Sequence, residues 1–263
     1  MGIGFLRKAK RRRRLERAGY VGPFQSWGDA RSRATGYDAE VIFQRVRDAT
    51  ASVRDGKAAY ERDSVLFNEV HHSWPLAAAL LHTAAGDRRL SVLDYGGALG
   101  SSYYQNRGLL TAVGSYQWSI VEQAHFVRCG RAEFSDSTLQ FYETVEEALR
   151  ARKPNVVLVS SVLQYLEDPA PAIKSLAGCG AHAIVLDRMP LVRSGPSQIY
   201  VQNVPPEIYP ASYPVRVLNV TELLGMFSGY HAIAEFPSYC DPQTPFEHLG
   251  FILKSVAAAV PGR

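Results

Sequence analysis

Leu90-Ser91-Val92-Leu93-Asp94-Tyr95-Gly96-Gly97-Ala98-Leu99-Gly100-Ser101-Ser102 carries an apolar run into a glycine-rich turn, after which two serines open a helix. Residues 90–93 read as a buried strand that ends at an acid, Asp94. Glycines at a strand-to-helix turn make positive φ accessible and leave no Cβ between backbone and ligand. Spacing narrows the choice of ligand. The dinucleotide fingerprint G-x-G-x-x-G, started at Gly96, needs glycine at 98 and 101, where the chain has Ala98 and Ser101. Started at Gly97, it meets Leu99 and Ser102. The frame fails both ways, and what remains is Asp-x-Gly-x-x-x-Gly over Asp94, Gly96 and Gly100.

A second apolar run, Trp118-Ser119-Ile120-Val121, ends at Glu122, 22 residues past Gly100. Nucleoside binders place an acid roughly 20 residues on, at the tip of the second strand, to accept the ribose hydroxyls. A solvated glutamate at a strand end is the alternative. A helix is predicted over 124–132, then a third strand, Leu139-Gln140-Phe141-Tyr142, whose tip is Glu143 and Thr144. The fourth, Asn155-Val156-Val157-Leu158-Val159, is rich in β-branched residues, as a parallel strand covered on both faces should be. A fifth, Ala183-Ile184-Val185-Leu186, ends at Asp187-Arg188, and two more are predicted over 230–236 and 248–255. Strands alternating with helices predict an α/β fold with a mostly parallel sheet.

With 263 residues, 46% of them hydrophobic, the chain can bury one substantial core. The expected organisation is a basic arm over 1–19, a helical cover over 20–87, and a ligand-binding domain over 88–263. No apolar run approaches the roughly 18 residues that span a bilayer, and the start lacks the apolar segment of a signal peptide. Cys129, Cys179 and Cys240 form no C-x-x-C pair, which suits a reducing cytoplasm and argues against a disulfide framework or a thiolate zinc site. No cluster of carboxylates and histidines marks a metal site. Residues 1–17 hold eight basic side chains against Glu16, a local charge of +7, so the other 246 residues stand at −3. A slightly acidic body is a poor nucleic-acid surface. The arm could touch anionic lipid headgroups at the inner face of a membrane, with Ile3, Phe5 and Leu6 as shallow anchors; a solvated tail is the plain alternative.

Two segments lie outside the strand-helix alternation. In residues 20–87, Asp38 precedes a helix with Val41, Ile42, Val46, Ala49 and Val53 at helical spacing, and Pro75 opens another. Aromatic and ionisable residues gather there in Tyr60-Glu61-Arg62-Asp63-Ser64 and His71-His72-Ser73-Trp74, which suggests a cover over a site with Arg62 and Trp74 on the substrate. Trp27, Tyr37 and Trp74 serve equally as glue between helices and sheet. Residues 189–217 hold six prolines together with Tyr200, Tyr209 and Tyr213. Nearly 30 residues without periodicity predict a functional loop or lid, its tyrosines offering apolar walls with a polar tip.

Gly22-Pro23-Phe24-x-Ser26-Trp27, Gly36-Tyr37-Asp38, the Asp94-to-Tyr103 turn, Val121-Glu122-Gln123, Ser160-Ser161-Val162-Leu163-Gln164-Tyr165-Leu166 and Ile208-Tyr209-Pro210-x-Ser212-Tyr213-Pro214 together resemble a bacterial family of class I S-adenosylmethionine-dependent methyltransferases associated with surface-polysaccharide biosynthesis. The resemblance implies a Rossmann-like fold with a seven-stranded sheet whose last strand is antiparallel. It implies S-adenosylmethionine held by Asp94, Gly96, Gly97, Gly100 and Ser101, by Glu122 and Gln123, and by Ser160 and Ser161 on the floor of the methyl pocket. Thr144 falls where this class contacts adenine, or else it caps the following helix. The acceptor so implied is a saccharide or glycolipid precursor, with 189–217 shaping specificity. A hydroxyl acceptor makes a general base useful. Asp187, His71, His72 and His248 are the choices, each histidine being equally readable as structural. Another small-molecule or protein acceptor, or a catalytically inactive assembly partner that keeps the fold, fits the same motifs.

Overall fold

The computed structural model describes residue 15 and residues 19–35, 40–205, 211–238 and 246–256. The basic arm apart from Leu15 and Gly19, the capping role of Asp38, and Tyr37, Tyr209 and Cys240 therefore lie outside the described residues. The N-terminal part begins with β1 (Tyr20–Phe24) and α1 (Trp27–Arg33), which Ser26 caps by accepting the Asp29 amide at 3.1 Å. Helix α2 (Glu40–Arg54) leads to a hairpin, β2 (Tyr60–Arg62) and β3 (Val65–Phe67), and then to α3 (Trp74–Asp87) with Pro75 in its first turn. Asp63 and Ser64, at φ +51° and +69°, make the two-residue hairpin turn with both central residues left-handed, the twist that closes a tight hairpin.

The remaining strands are β4 (Leu90–Tyr95), β5 (Tyr116–Val121), β6 (Leu139–Tyr142), β7 (Val156–Ser160), β8 (Ala183–Val192), β9 (Gln198–Asn203), β10 (Ser212–Asn219), β11 (Tyr230–Pro237) and β12 (Glu247–Ser255). Helices α4 (Ser101–Leu110), α5 (Ala124–Cys129), α6 (Val145–Ala151), α7 (Ala170–Ala177) and α8 (Val220–Met226) connect them. Five parallel strands run in the order β6-β5-β4-β7-β8, β12 lies antiparallel against β8, and β11 pairs β12. These are the seven strands expected, and the last is antiparallel. One core cluster packs α3, α4 and α5 on one face around Leu80, Tyr104, Trp118 and Phe126; the other packs α7 and α8 around Ile173, Leu176 and Leu223. Burial on both faces is why the β7 sequence has no polar alternation.

Residues 189–217 are not a structureless loop. Strand β8 runs on to Val192, β9 and β10 form an antiparallel hairpin, and β1 pairs with β9, so the connected sheet has ten strands among the described residues. Two of the prolines sit beside a gap along one edge of their strand. Pro190 falls between the last β8 pairing with β7, at Asp187, and the first with β10, at Leu191. Pro214 lies on β10, whose second edge is paired only at Leu218 and Asn219. Along those edges a missing N–H breaks no ladder bond, while on the other edge Pro190 pairs with His248 of β12 and Pro214 with Val201 of β9. The added strands pack over the Leu163–Tyr165 turn after β7, where Tyr165 meets Tyr213 edge to face at 5.0 Å.

Candidate functional site

From β4 the chain winds outward to β5 and β6 on one side, then returns to β7 on the other. The carboxyl ends of β4 and β7 consequently flank a crevice where the strand order reverses, the place where open α/β sheets take their ligands. The glycine turn stands at that crevice. Gly96, Ala98 and Gly100 adopt φ of +74°, +49° and +110°, and the Gly96 amide donates to the Val121 carbonyl at 2.9 Å, tying the turn to β5. A Cβ on Gly96 would lie 2.6 Å from the Val162 side chain. Gly96→Val is therefore expected to lose about 1–3 kcal/mol from backbone strain alone, and unchanged thermal unfolding would contradict the turn geometry.

Asp94 supports this turn from within. Its carboxyl is buried, accepts the Trp118 indole N–H at 3.0 Å, and would lie 2.6 Å from a Cβ on Gly97. That contact, rather than ligand approach alone, is why residue 97 lacks a side chain. Burial pushes the Asp94 pKa up to about 7. Glu122 ends β5 half-buried, its Oε2 accepting the Gln123 amide at 2.9 Å, and burial raises its pKa as well. At the tip of β6, the Thr144 hydroxyl accepts the Glu147 amide at 3.1 Å, so the capping alternative accounts for that oxygen. Ser160 pairs in register with Asp187, while Ser161, at φ +57°, donates its amide to the Asp187 carbonyl at 3.0 Å.

Beside the turn opens a cleft of about 300 Å³. It brings together six of the expected residues from distant parts of the chain: Arg62, His72, Trp74, Ser101, Ser160 and Asp187. Trp74 is 66% exposed at this cleft, which corrects the reading of it as glue. Asp187 is buried, and its Oδ1 accepts both the Ser238 hydroxyl at 2.6 Å and the Arg188 amide at 2.9 Å. Arg188 and Ser238 also line the cleft and escaped the sequence analysis. Arg188 has φ +59° and reaches Asp63 on the β2–β3 turn at 2.5 Å. Burial opposes its charge, but Asp63, with Tyr60 and Asp187 adding to it, outweighs burial and holds the guanidinium above its usual pKa.

Other expected residues are placed elsewhere. His71 is exposed, its ring against Phe67 at 5.5 Å, and its carbonyl accepts from Gln105. His248 pairs with Pro190 across β12 and β8, and burial lowers its pKa to about 4, which leaves it neutral. Tyr200 and Tyr213 are buried in apolar clusters of the added strands, the first against Tyr20 and Phe246 and the second against Tyr165. As lid residues facing a substrate they are corrected: alternation along β9 and β10 turns them inward. Among the described residues no three His, Cys, Asp or Glu side chains come together as metal ligands, and no helix is long and apolar enough to cross a membrane.

No protein-family model matches the chain, and no curated protein matches it. Similar solved structures exist. A 1,6-didemethyltoxoflavin-N1-methyltransferase from Burkholderia thailandensis, crystallised with 1,6-didemethyltoxoflavin and S-adenosylhomocysteine, matches over 89% of this chain and 92% of its own, at 12% identity and a TM-score of 0.44. The N-terminal domain of EvdMO1, in the presence of S-adenosylhomocysteine and D-fucose, matches over 83% and 96%, at 16% identity and a TM-score of 0.47. CalS10, an amino pentose methyltransferase from Micromonospora echinaspora, matches over 70% and 92%, at 11% identity and a TM-score of 0.45.

Proposed function

We propose that the protein is an S-adenosylmethionine-dependent methyltransferase whose acceptor is a hydroxyl of a saccharide or glycolipid precursor. The observation that carries this reading is the placement of the glycine turn at the reversal point of the sheet, with Glu122 at the tip of the adjoining strand and the cleft beside it. The turn fits the cofactor: its backbone bends through three positive-φ residues without a bulky side chain, and Glu122 supplies a half-buried carboxylate for paired hydroxyls. When bound, S-adenosylmethionine supplies an electrophilic methyl carried on a sulfonium.

The chain's own residues then position and deprotonate the acceptor. Trp74 and Tyr60 give the cleft an aromatic wall, and Ser160, Asp187 and Arg188 a polar floor, a combination suited to a ring that is apolar on its faces and hydroxylated at its edge. Asp187 takes the hydroxyl proton. The bonds from Ser238 and the Arg188 amide both end on Oδ1, which leaves Oδ2 as the atom for that proton. His72, in the same wall, is a further group within the cleft able to move a proton. Water exclusion by the cover serves a methyl transfer in which charge is dispersed and positioning supplies much of the acceleration.

The test is calorimetric. Wild-type protein should bind S-adenosylhomocysteine and ignore NADH, and Glu122→Ala should weaken that binding by about 1–3 kcal/mol, the usual loss for a charge-assisted acceptor. Equal affinity in the variant would remove Glu122 from the site.

A further inference from the structure

Glu61 lies on β2 between Tyr60 and Arg62, which both line the cleft. Strand alternation turns it to the other side, against the first turn of α4. It is 2% exposed. Its Oε1 takes the Ser101 hydroxyl, and its Oε2 accepts the Ser64 amide at 3.2 Å. Among the described residues no Lys, Arg or His forms an ion pair with it. Burying a carboxylate without an ion-pair partner is costly: burial raises its pKa, and the bonds from Ser101 and Ser64 and the more distant charge of Arg188 offset this only in part. Two more polar atoms nearby in the chain are buried with no partner: the Ser64 Oγ, beside the amide that Glu61 accepts, and the His72 Nδ1, on a residue of the cleft wall.

These groups share one deficiency. The acid has no cation in ion-pair contact, and a hydroxyl and an imidazole nitrogen have no hydrogen-bond partner. A primary ammonium supplies both, with one positive charge and three N–H bonds. A sulfonium has no N–H to give, and ribose hydroxyls carry no charge. Glu122 and Glu61 stand at opposite ends of the glycine turn, the first at the tip of β5 and the second at the start of α4. A ligand lying along the turn with its ribose at Glu122 would point its far end towards the start of α4, where Ser101 lines the cleft and meets Glu61.

We infer that Glu61 receives the ammonium of the cofactor's amino-acid tail, so that the N-terminal cover selects the cofactor together with the glycine turn. This rests on the methyltransferase reading above. It gives the β2–β3 hairpin a function beyond roofing the cleft: the hairpin docks on α4 through the same carboxylate that holds the ligand, and cofactor occupancy fastens the cover.

Titration of the full chain with S-adenosylhomocysteine and with 5′-methylthioadenosine tests the inference, because the second is the same thioether nucleoside without the amino-acid tail. Wild type is expected to prefer S-adenosylhomocysteine by at least about tenfold, the equivalent of 1.4 kcal/mol. Glu61→Gln should lose that preference, with methylthioadenosine affinity held within about twofold, and Glu61→Asp should restore part of it. Equal loss for both ligands would mean that Glu61 only supports the turn, and an undiminished preference would mean that it does not meet the tail; either result overturns the inference. Should Glu61→Gln fail to fold, Ser64→Ala provides the second reading, a severalfold loss confined to S-adenosylhomocysteine, and no selective loss there overturns the inference too. Wild-type binding of neither nucleoside would sink the methyltransferase reading itself. Methylthioadenosine binding without any preference for the tailed ligand would sink this inference alone.

Discussion

Raising the pH from about 4 to about 7 is expected to destabilise the fold through a single carboxyl group, Asp94, by up to about 4 kcal/mol. The group is buried beside the Gly97 backbone and bonded to the Trp118 indole, and burial moves its pKa from 3.8 to about 7. The sign follows from where the proton sits. Between these two values the folded protein keeps a proton that the unfolded chain releases, so folding is favoured most below about pH 4 and the advantage is lost as pH rises through about 7. Glu61 and Glu122, whose pKa values are also raised by burial, push in the same direction. Asp94→Asn removes the ionisation while retaining an acceptor for Trp118. Its urea midpoint should therefore vary less with pH than that of the wild type, and above pH 7 the variant should be the more stable of the two. Parallel pH profiles would show that Asp94 is not the group responsible.

The parallel core was legible because each of its strands is a short apolar run bounded by a turn or an acid, and burial on both faces removes any competing helical pattern. The β7 run from Val156 to Val159 is the clearest case, fully buried as its sequence implies. What escaped were features that tertiary contact decides. In Tyr60-Glu61-Arg62-Asp63-Ser64, three consecutive ionisable residues read as part of a cover over a site; only docking on α4 makes Glu61 a buried acid, and the hairpin turns through Asp-Ser without the Asn-Gly or Asp-Gly that usually announces such a turn. The β9–β10 hairpin was concealed by prolines, whose meaning depends on which strand edge is left unpaired. Sequence could gather Asp187, His72, Trp74 and Arg62 near one cleft, since each lies at a strand end or in the pre-domain segment. It could not give the direction of a ring, which is why His71 and His248 drop away. Arg188 had a faint signal, a charge directly following the acid of the fifth strand, but its left-handed backbone and its pairing with Asp63 belong to the folded chain.

The division between core and cleft makes a sharp contrast among aromatic residues. Tyr200→Ala is expected to cost about 3–5 kcal/mol, the range for truncating a fully buried aromatic side chain. Tyr200 is 0% exposed, meets Tyr20 edge-on at 6.4 Å and Phe246 at 5.0 Å, and donates its hydroxyl to Gln198 at 2.6 Å. Tyr213→Ala should be comparably damaging, because the ring is buried against Tyr165 on the turn that follows β7. Trp74→Ala, a larger truncation by volume, should change stability by no more than about 0.5 kcal/mol, since the indole is mostly in water. Its effect belongs to turnover: the acceptor's Michaelis constant should rise, or methyl transfer from labelled S-adenosylmethionine should stop, with S-adenosylhomocysteine affinity unchanged. Urea midpoints for the three variants, read beside nucleoside affinity, separate the two kinds of residue. If Tyr200→Ala unfolds at the wild-type midpoint, β9 and β10 do not bury their tyrosines and the segment returns to being a lid. If instead Trp74→Ala falls with the core variants, the cleft has lost its aromatic wall to packing, and recognition of the acceptor shifts to Arg62, His72 and Arg188, the polar side chains that remain around Asp187.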